Sequence, residues 1–249
     1  MEIIRIANGD YGKYEDLLLY RDSLRKEAEQ YFIEYIRQFG ELINKVYEKK
    51  IECIKLKKAI SFVQASINKN GFADIGELNE YLSRVMEEYN KKLEMMVNDY
   101  NAVRNSGTAP EYEVLKIKKI YRRIAKQIHP DICPVISQHP EFGELWNRVQ
   151  IAYSHNNLKD IEELEVIISK ALEDAGIESV DVLIPDIDEK IKEIESEIKK
   201  ITSTDPYLFG ELLRDDEAVR EKTEELEEEL AEYEEYRQSL QEHLDLILG

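Results

Sequence analysis

Apolar residues recur at steps of three and four along most of this chain, which predicts long amphipathic helices. From about Tyr14 to Asn68 no proline interrupts the pattern. In this stretch the steps alternate between four and three, as in a coiled-coil heptad. The series of positions is Tyr35, Phe39, Leu42, Val46, Lys49, Cys53, Leu56, Ile60, Val63 and Ile67.

A turn is predicted after this first helix. Gly71 is suited to end it, because helices often finish on a residue in the left-handed conformation. Asp74, followed three residues later by Glu77, resembles the capping box that begins a helix. The second helix has apolar positions at Leu78, Leu82, Val85, Tyr89, Leu93, Met96, Tyr100 and Val103. We expect the two helices to form an antiparallel coiled-coil hairpin over residues 1–95.

Residues 186–249 carry the pattern of a second hairpin. One seam runs through Ile187, Ile191, Ile194, Ile198 and Ile201, and another through Val219, Thr223, Leu226, Leu230, Tyr233, Arg237, Leu240, Leu244 and Ile247. The segment 202–206 supplies the turn. This region holds 22 Asp and Glu against 8 Lys and Arg, a net charge of −14. Such a run is typical of a solvated helix face.

Composition narrows the class of protein. The 249 residues have a formal net charge of −19 and only two cysteines, Cys53 and Cys133, which excludes a disulfide framework and favours a reducing, cytoplasmic compartment. The first residues lack the basic start and apolar core of a signal peptide, and no apolar run approaches the ~18 residues of a membrane span. We therefore expect an all-α protein with no membrane association.

The centre of the chain is basic, although the chain as a whole is acidic. Residues 112–128 hold six Lys and Arg against one acid, Glu113, and their apolar positions form one helical stripe. Pro130 must end this helix, because proline has no amide hydrogen and disfavours helical geometry in the residue before it. A second amphipathic pattern follows at Phe142, Leu145, Trp146, Val149, Ala152 and Tyr153, and a third at Leu158, Ile161, Leu164, Ile168 and Leu172. The first two helices predict a hairpin with His129-Pro130-Asp131 at its tip.

This stretch resembles the J domain of DnaJ-like co-chaperones. Tyr121, Arg122, Arg123 and Ala125 stand in the order of the family's Tyr-Arg-Lys-Leu-Ala run, and His-Pro-Asp follows at the family's distance; Trp146, Val149, Ala152 and Tyr153 match its third helix. The residue after the tripeptide, usually lysine in the family, is Ile132. The best candidate for the family's first helix is 97–103. The resemblance thus places a J domain at 96–172, a linker at 173–185, and a coiled-coil hairpin on either side.

The resemblance implies a co-chaperone that binds a DnaK-type heat-shock chaperone and stimulates its ATPase. Asp131 would accept a bond from an arginine of that chaperone, Pro130 would fix the loop and His129 would orient it. The basic face would dock on the chaperone through Lys119, Tyr121, Arg122, Arg123 and Lys126. The coiled-coil arms would contact a client or a second copy of the chain.

An interaction scaffold, in which the J-like fold stimulates no ATPase, is the main alternative. The acidic remainder of the chain argues against nucleic-acid binding. His139 and His155 lie near no cysteine or carboxylate cluster at metal spacing, and nothing indicates a cofactor or a catalytic nucleophile with its base, so we expect no enzyme. The acidic arm at 186–249 would either shield the basic helix or point away from it.

Overall fold

A computed structural model describes residues 9–105, 109–133, 139–177 and 186–248. All regular structure in these ranges is helical. The helices are α1 (Gly9–Asn70), α2 (Ile75–Asn105), α3 (Glu111–Ile128), α4 (Pro140–Ser154), α5 (Leu158–Asp174), α6 (Ile187–Thr202), α7 (Phe209–Arg214) and α8 (Asp216–Leu248). The expected all-α class is confirmed.

The chain divides into two compact units, and neither is continuous in sequence. The first unit contains residues 1–30 and 107–208, and the second contains residues 31–106 and 209–249. Helix α1 therefore contributes its beginning to the first unit and its remainder to the second. These boundaries differ from the expected division at residues 95, 172 and 185.

The core of the first unit is formed by the helices on either side of the tripeptide together with α5. The stripe predicted for α3 lies in this core, since Ile117, Tyr121, Ile124 and Ile128 are all buried. Burying such side chains stabilises a fold by roughly 1.5–3 kcal/mol each. The partners from α4 are Phe142, Trp146, Val149, Ala152 and Tyr153, and those from α5 are Ile161, Leu164, Ile168 and Leu172.

Two helix ends in this unit are set by local sequence. Helix α3 stops at Ile128, two residues before Pro130, as predicted. Helix α5 begins at an N-cap, in which the Asn157 side chain accepts a hydrogen bond from the backbone N–H of Asp160 at 3.1 Å. Such a cap is worth about 1 kcal/mol to the helix that it begins. Together these ends fix where α3 and α5 can pack.

A second apolar cluster in the first unit surrounds Ile132, the residue after the tripeptide. Ile132 is fully buried among Tyr14 and Leu18 of α1 and Ile191 and Ile194 of α6. Helix α6 thus packs beside the loop. The expected hairpin over residues 186–249 is not formed as one body, because α6 belongs to the first unit and α8 to the second.

The second unit is built from the rest of α1 with α2 and α8. Cys53, Ile60 and Val63 of α1 pack with Leu78 and Leu82 of α2 and with Leu240 and Leu244 of α8. Nearer the start of α1, Phe39 and Val46 pack with Leu226. The predicted seams of α1, α2 and α8 therefore meet in the first of these clusters, and those of α1 and α8 meet in the second. Both predicted features of the α1–α2 turn are confirmed: Gly71 has φ +78°, and Asp74 Oδ1 accepts from the Glu77 N–H at 3.0 Å.

The helix that packs against the α3–α4 hairpin is not the one expected. Residues 97–103 lie in α2, within the second unit. The start of α1 packs there instead, through Leu19 in the core and through polar contacts of Asp22 and Lys26. The apolar pattern of α1 is continuous, so it does not reveal that the helix changes partners near residue 30.

Candidate partner-binding site

His129 holds the loop at the tip of the hairpin together. Its N–H donates to the Ala125 carbonyl at 2.9 Å, which closes the last turn of α3. Its own carbonyl accepts from the N–H groups of Ile132 and Cys133 at 3.0 and 2.8 Å. Its ring Nδ1 accepts from the N–H of Asp131 at 3.0 Å. Four hydrogen bonds therefore fix residues 129–133 at the start of the loop, while the side chain of Asp131 remains exposed.

The His129 ring lies inside the unit. Only 5% of the residue is exposed, and its ring meets Trp146 edge-on with centroids 4.6 Å apart. Its Nε2 lies 3.6 Å from Oδ2 of Asp22, on α1. This residue is therefore placed to hold the loop rather than to touch a partner.

Asp22 is the carboxylate at the centre of this region. Its Oδ2 accepts a 2.8 Å hydrogen bond from the Tyr121 hydroxyl, and its Oδ1 accepts from Arg21 at 3.1 Å. Burial alone would raise the pKa of Asp22, but the nearby His129 ring, the hydrogen bond from Tyr121 and the charge of Arg21 outweigh burial and lower it. Asp22 is thus an anion in contact with His129, Tyr121 and Arg21.

Tyr121 is enclosed by the same contacts. It is 3% exposed, and its ring stacks on Tyr153 with centroids 3.9 Å apart. Burial, followed by the nearby charge of Asp22, raises the pKa of Tyr121 well above its usual range. The predicted role of Tyr121 as a direct docking residue does not fit this placement, because its hydroxyl is used inside the unit.

The basic side chains of α3 are largely paired within the first unit. Four of the six form ion pairs with glutamates of α1 and α5: Lys116 with Glu162, Lys118 with Glu27, Arg123 with Glu165, and Lys126 with Glu15. Exposed pairs of this kind contribute little stability, typically below about 1 kcal/mol each. Their main consequence here is that the positive field of α3 is weaker than the net charge of its sequence suggests.

One row of α3 side chains faces solvent and forms a continuous surface. It comprises Tyr112, Leu115, Lys119, Arg122 and Lys126, spaced by alternate steps of three and four, and we call it the docking stripe. Tyr112 and Leu115 are 67% and 54% exposed. Within the described part of the chain, Lys119 and Arg122 have no carboxylate oxygen within 4.0 Å. The stripe thus offers two unpaired cations beside two apolar side chains.

The predicted site residues fall into two groups. Lys119, Arg122, Arg123, Lys126, Pro130 and Asp131 are exposed, whereas Tyr121 and His129 are buried. Sequence reasoning missed Asp22 and Lys26. The sequence did mark these two residues. They lie on the face of α1 that also carries Leu18 and Leu19, and they occupy positions where an apolar residue would be expected. Polar residues on such a face usually have a specific partner.

Lys26 finds its partner at the end of α4. Its ammonium donates to the Tyr153 carbonyl at 2.7 Å and lies 3.8 Å above the centroid of the Tyr153 ring. The carbonyl belongs to the last turn of a helix, where backbone oxygens lack partners within the helix. Burial, opposed by the charge of Glu29, lowers the pKa of Lys26 to about 8.

We expect this lysine to make the first unit more stable as the pH rises above neutrality. Lys26 titrates at about 8 in the folded chain but at 10.5 in the unfolded chain, so between these values the unfolded chain binds more protons and the free energy of unfolding increases with pH. The full rise is bounded by about 3 kcal/mol. Denaturant unfolding between pH 7.5 and 9.5 measures it below the range where tyrosines ionise.

Two substitutions isolate that effect. Lys26→Met should remove the rise, whereas Lys159→Met, at a site whose side chain is 84% exposed in the same unit, should preserve it. Above pH ~10 the trend should reverse, because burial raises the pKa of Tyr121 and of Tyr153 in the folded chain alone. An equal pH dependence in wild type and Lys26→Met would contradict the assignment.

Comparison with known proteins gives no match: no protein-family model fits the chain, and no curated protein or solved structure is similar to it. In the described ranges no group of three or more His, Cys, Asp or Glu is arranged to hold a metal ion. None of the helices in those ranges is both long and apolar enough to cross a membrane. The function must therefore be argued from the tip of the hairpin and the docking stripe.

Proposed function

We propose that this chain is a J-domain co-chaperone that binds a DnaK-type chaperone and stimulates its ATPase. One observation carries the proposal: an exposed carboxylate, Asp131, is held in a hydrogen-bonded loop directly after a helix with an exposed cationic stripe. The resemblance of residues 112–153 to the J domain requires both elements. The start of α1 would take the place of the family's first helix.

The two elements have different tasks in this proposal. Lys119 and Arg122 of the docking stripe attract an acidic surface and set the rate of encounter, which should fall with rising salt. Tyr112 and Leu115 add apolar contact area beside them. Asp131 then accepts a charge-assisted hydrogen bond from a cationic side chain of the chaperone, an interaction worth about 1.5–3 kcal/mol. That bond would favour the chaperone conformation that hydrolyses ATP.

Single-turnover ATP hydrolysis by a DnaK-type chaperone tests this function. Wild type should accelerate hydrolysis, and Asp131→Asn should lower the acceleration by at least about tenfold, the effect of losing ~1.4 kcal/mol of a charged hydrogen bond. The loop should survive, because the backbone N–H of residue 131 still donates to His129. Asp174→Asn, which removes an exposed carboxylate from α5, serves as the matched control and should behave as wild type.

The interaction scaffold remains the second candidate, and a specific observation favours it. Four of the six cations on α3 are engaged by glutamates of the same unit, as expected of a helix whose charges serve internal packing. If wild type fails to stimulate, or stimulates equally with and without the Asp131 carboxylate, the scaffold is preferred. Its arms would then bind a client or a second copy of the chain.

A further inference from the structure

We infer that Asp22 is a positioning residue for the tripeptide, acting on Asp131 through the His129 ring. Asp22 precedes the motif by more than a hundred residues and belongs to none of the features that resemble a J domain. The inference has two parts. The part about ATPase stimulation rests on the proposed function, and the part about the structure of the loop does not depend on it.

The direction of the hydrogen bond within the loop fixes the state of the His129 ring. A backbone N–H can only donate, so the 3.0 Å contact from the Asp131 N–H requires Nδ1 to be an unprotonated acceptor. A neutral ring must then carry its proton on Nε2. The other tautomer would set two N–H groups against each other and break the bond that holds Asp131.

Asp22 supplies the group that favours this tautomer. Its Oδ2 lies 3.6 Å from Nε2, where a carboxylate attracts the proton on that nitrogen and disfavours its transfer to Nδ1. The interaction operates in a poorly solvated place, because the side chains of His129 and Asp22 are only 6% and 12% exposed. Trp146 covers the ring from another side and offers no competing acceptor in this geometry.

The carboxylate itself cannot easily turn away. The Tyr121 hydroxyl holds Oδ2 and the Arg21 guanidinium holds Oδ1, so both oxygens have a fixed donor. Tyr121 lies on α3, which also leads into the loop, and Asp22 lies on α1. A continuous set of contacts therefore runs from α1 through the imidazole to the backbone of Asp131.

Amide hydrogen exchange in the free protein tests the structural part. In Asp22→Asn the Asp131 amide should exchange at least about tenfold faster, and the ¹⁵N chemical shifts of the His129 ring should lose the pattern of a pure Nε2–H tautomer. Asp16→Asn, an exposed site on the same helix, is the matched control and should leave both unchanged. Protection of the Ile117 amide, in the core, should persist and would show that Asp22→Asn has folded.

The functional part is measured with the chaperone. Asp22→Asn should lower the maximal stimulation of ATP hydrolysis while leaving the half-saturating concentration unchanged, because the docking stripe is intact. A merely structural role would alter both values together. Unchanged exchange and ring shifts in Asp22→Asn would overturn the inference whatever the chaperone does. Altered exchange and shifts, with no stimulation by wild type, would sustain the positioning role and reject only the co-chaperone.

Discussion

Replacing Ile132 by lysine, the residue usual at this position in J domains, is expected to destabilise the first unit by about 3–5 kcal/mol. The side chain is fully buried among residues of α1 and α6, and its partners in that cluster are apolar or aromatic. An uncompensated charge at such a site costs several kcal/mol, in addition to the lost apolar contacts. The loss of stability is measured as the shift in the midpoint of denaturant unfolding. Hydrogen exchange of amides in the first unit follows that unfolding.

Matched variants separate burial from charge. Ile151→Lys introduces the same change on α4 at a residue that is 60% exposed, and it should alter stability by less than about 0.5 kcal/mol. Ile132→Val keeps the side chain apolar and should cost about 0.5–1.5 kcal/mol. If Ile132→Lys were tolerated as well as Ile151→Lys, the cluster that joins the loop to α6 would not form in solution.

Removing residues 1–30 is expected to abolish the tertiary structure of the α3–α4 hairpin. The deletion exposes apolar surface that Leu19 covers and leaves the buried Tyr121 hydroxyl and the Tyr153 carbonyl without their partners Asp22 and Lys26. Losing these two hydrogen bonds, each to a charged group, costs about 1.5–3 kcal/mol apiece, which with the lost packing rivals the whole stability of a domain. Hydrogen exchange of the α3 amides in residues 31–249 measures the effect.

Adding the missing helix back as a peptide controls for indirect damage. A peptide of residues 9–30 should restore protection to the α3 amides when mixed with the truncated chain. The same peptide carrying Leu19→Ala and Asp22→Ala should not. Native-like protection in the truncated chain alone would mean that the hairpin does not depend on α1.

The local features of the fold were predictable because nearby residues determine them. The stripe of α3, the end of that helix before Pro130, and the turn at Gly71 and Asp74 follow from spacing and from the conformational preferences of single residues. The choice of partner for each helix was not, because an apolar stripe records that a face is buried and says nothing about what covers it.

The N-terminal helix and the acidic arm show this limit most clearly. Helix α1 carries one continuous apolar pattern, yet its residues up to 30 belong to the first unit and those from 31 belong to the second. Residues 186–249 read as one hairpin, yet Glu197 of α6 pairs with Arg21 and Arg25 of α1 at 3.4 and 3.0 Å. Among the described contacts the acids of α6 meet α1 and not the basic face of α3. Shielding of the basic helix by the acidic arm would require ion pairs with α3. For α6, none is among the described contacts.

The chemistry of the site was only half visible in the sequence. The exposed residues of the tripeptide and the three cations of the docking stripe were named, because motif and charge identify them, whereas Tyr112 and Leu115 were not. Asp22 and Lys26 were not, because their significance depends on contacts with residues about a hundred or more positions away, at 99 residues to Tyr121 and 127 to Tyr153. The glutamates that pair with four of the six cations of α3 were hidden as well, because they lie on other helices, α1 and α5.

The discontinuity of the first unit has a consequence for synthesis on the ribosome. The segment that holds Asp22 emerges about a hundred residues before the helix that it packs against. At roughly 5–20 residues per second, α1 waits on the order of ten seconds with its polar and apolar contacts unmade. Although every described element is a helix, the native contacts of this unit are not local, so it should fold more slowly than a helical bundle of similar size. During that interval the start of α1 is an exposed amphipathic helix, open to any chaperone near the ribosome exit.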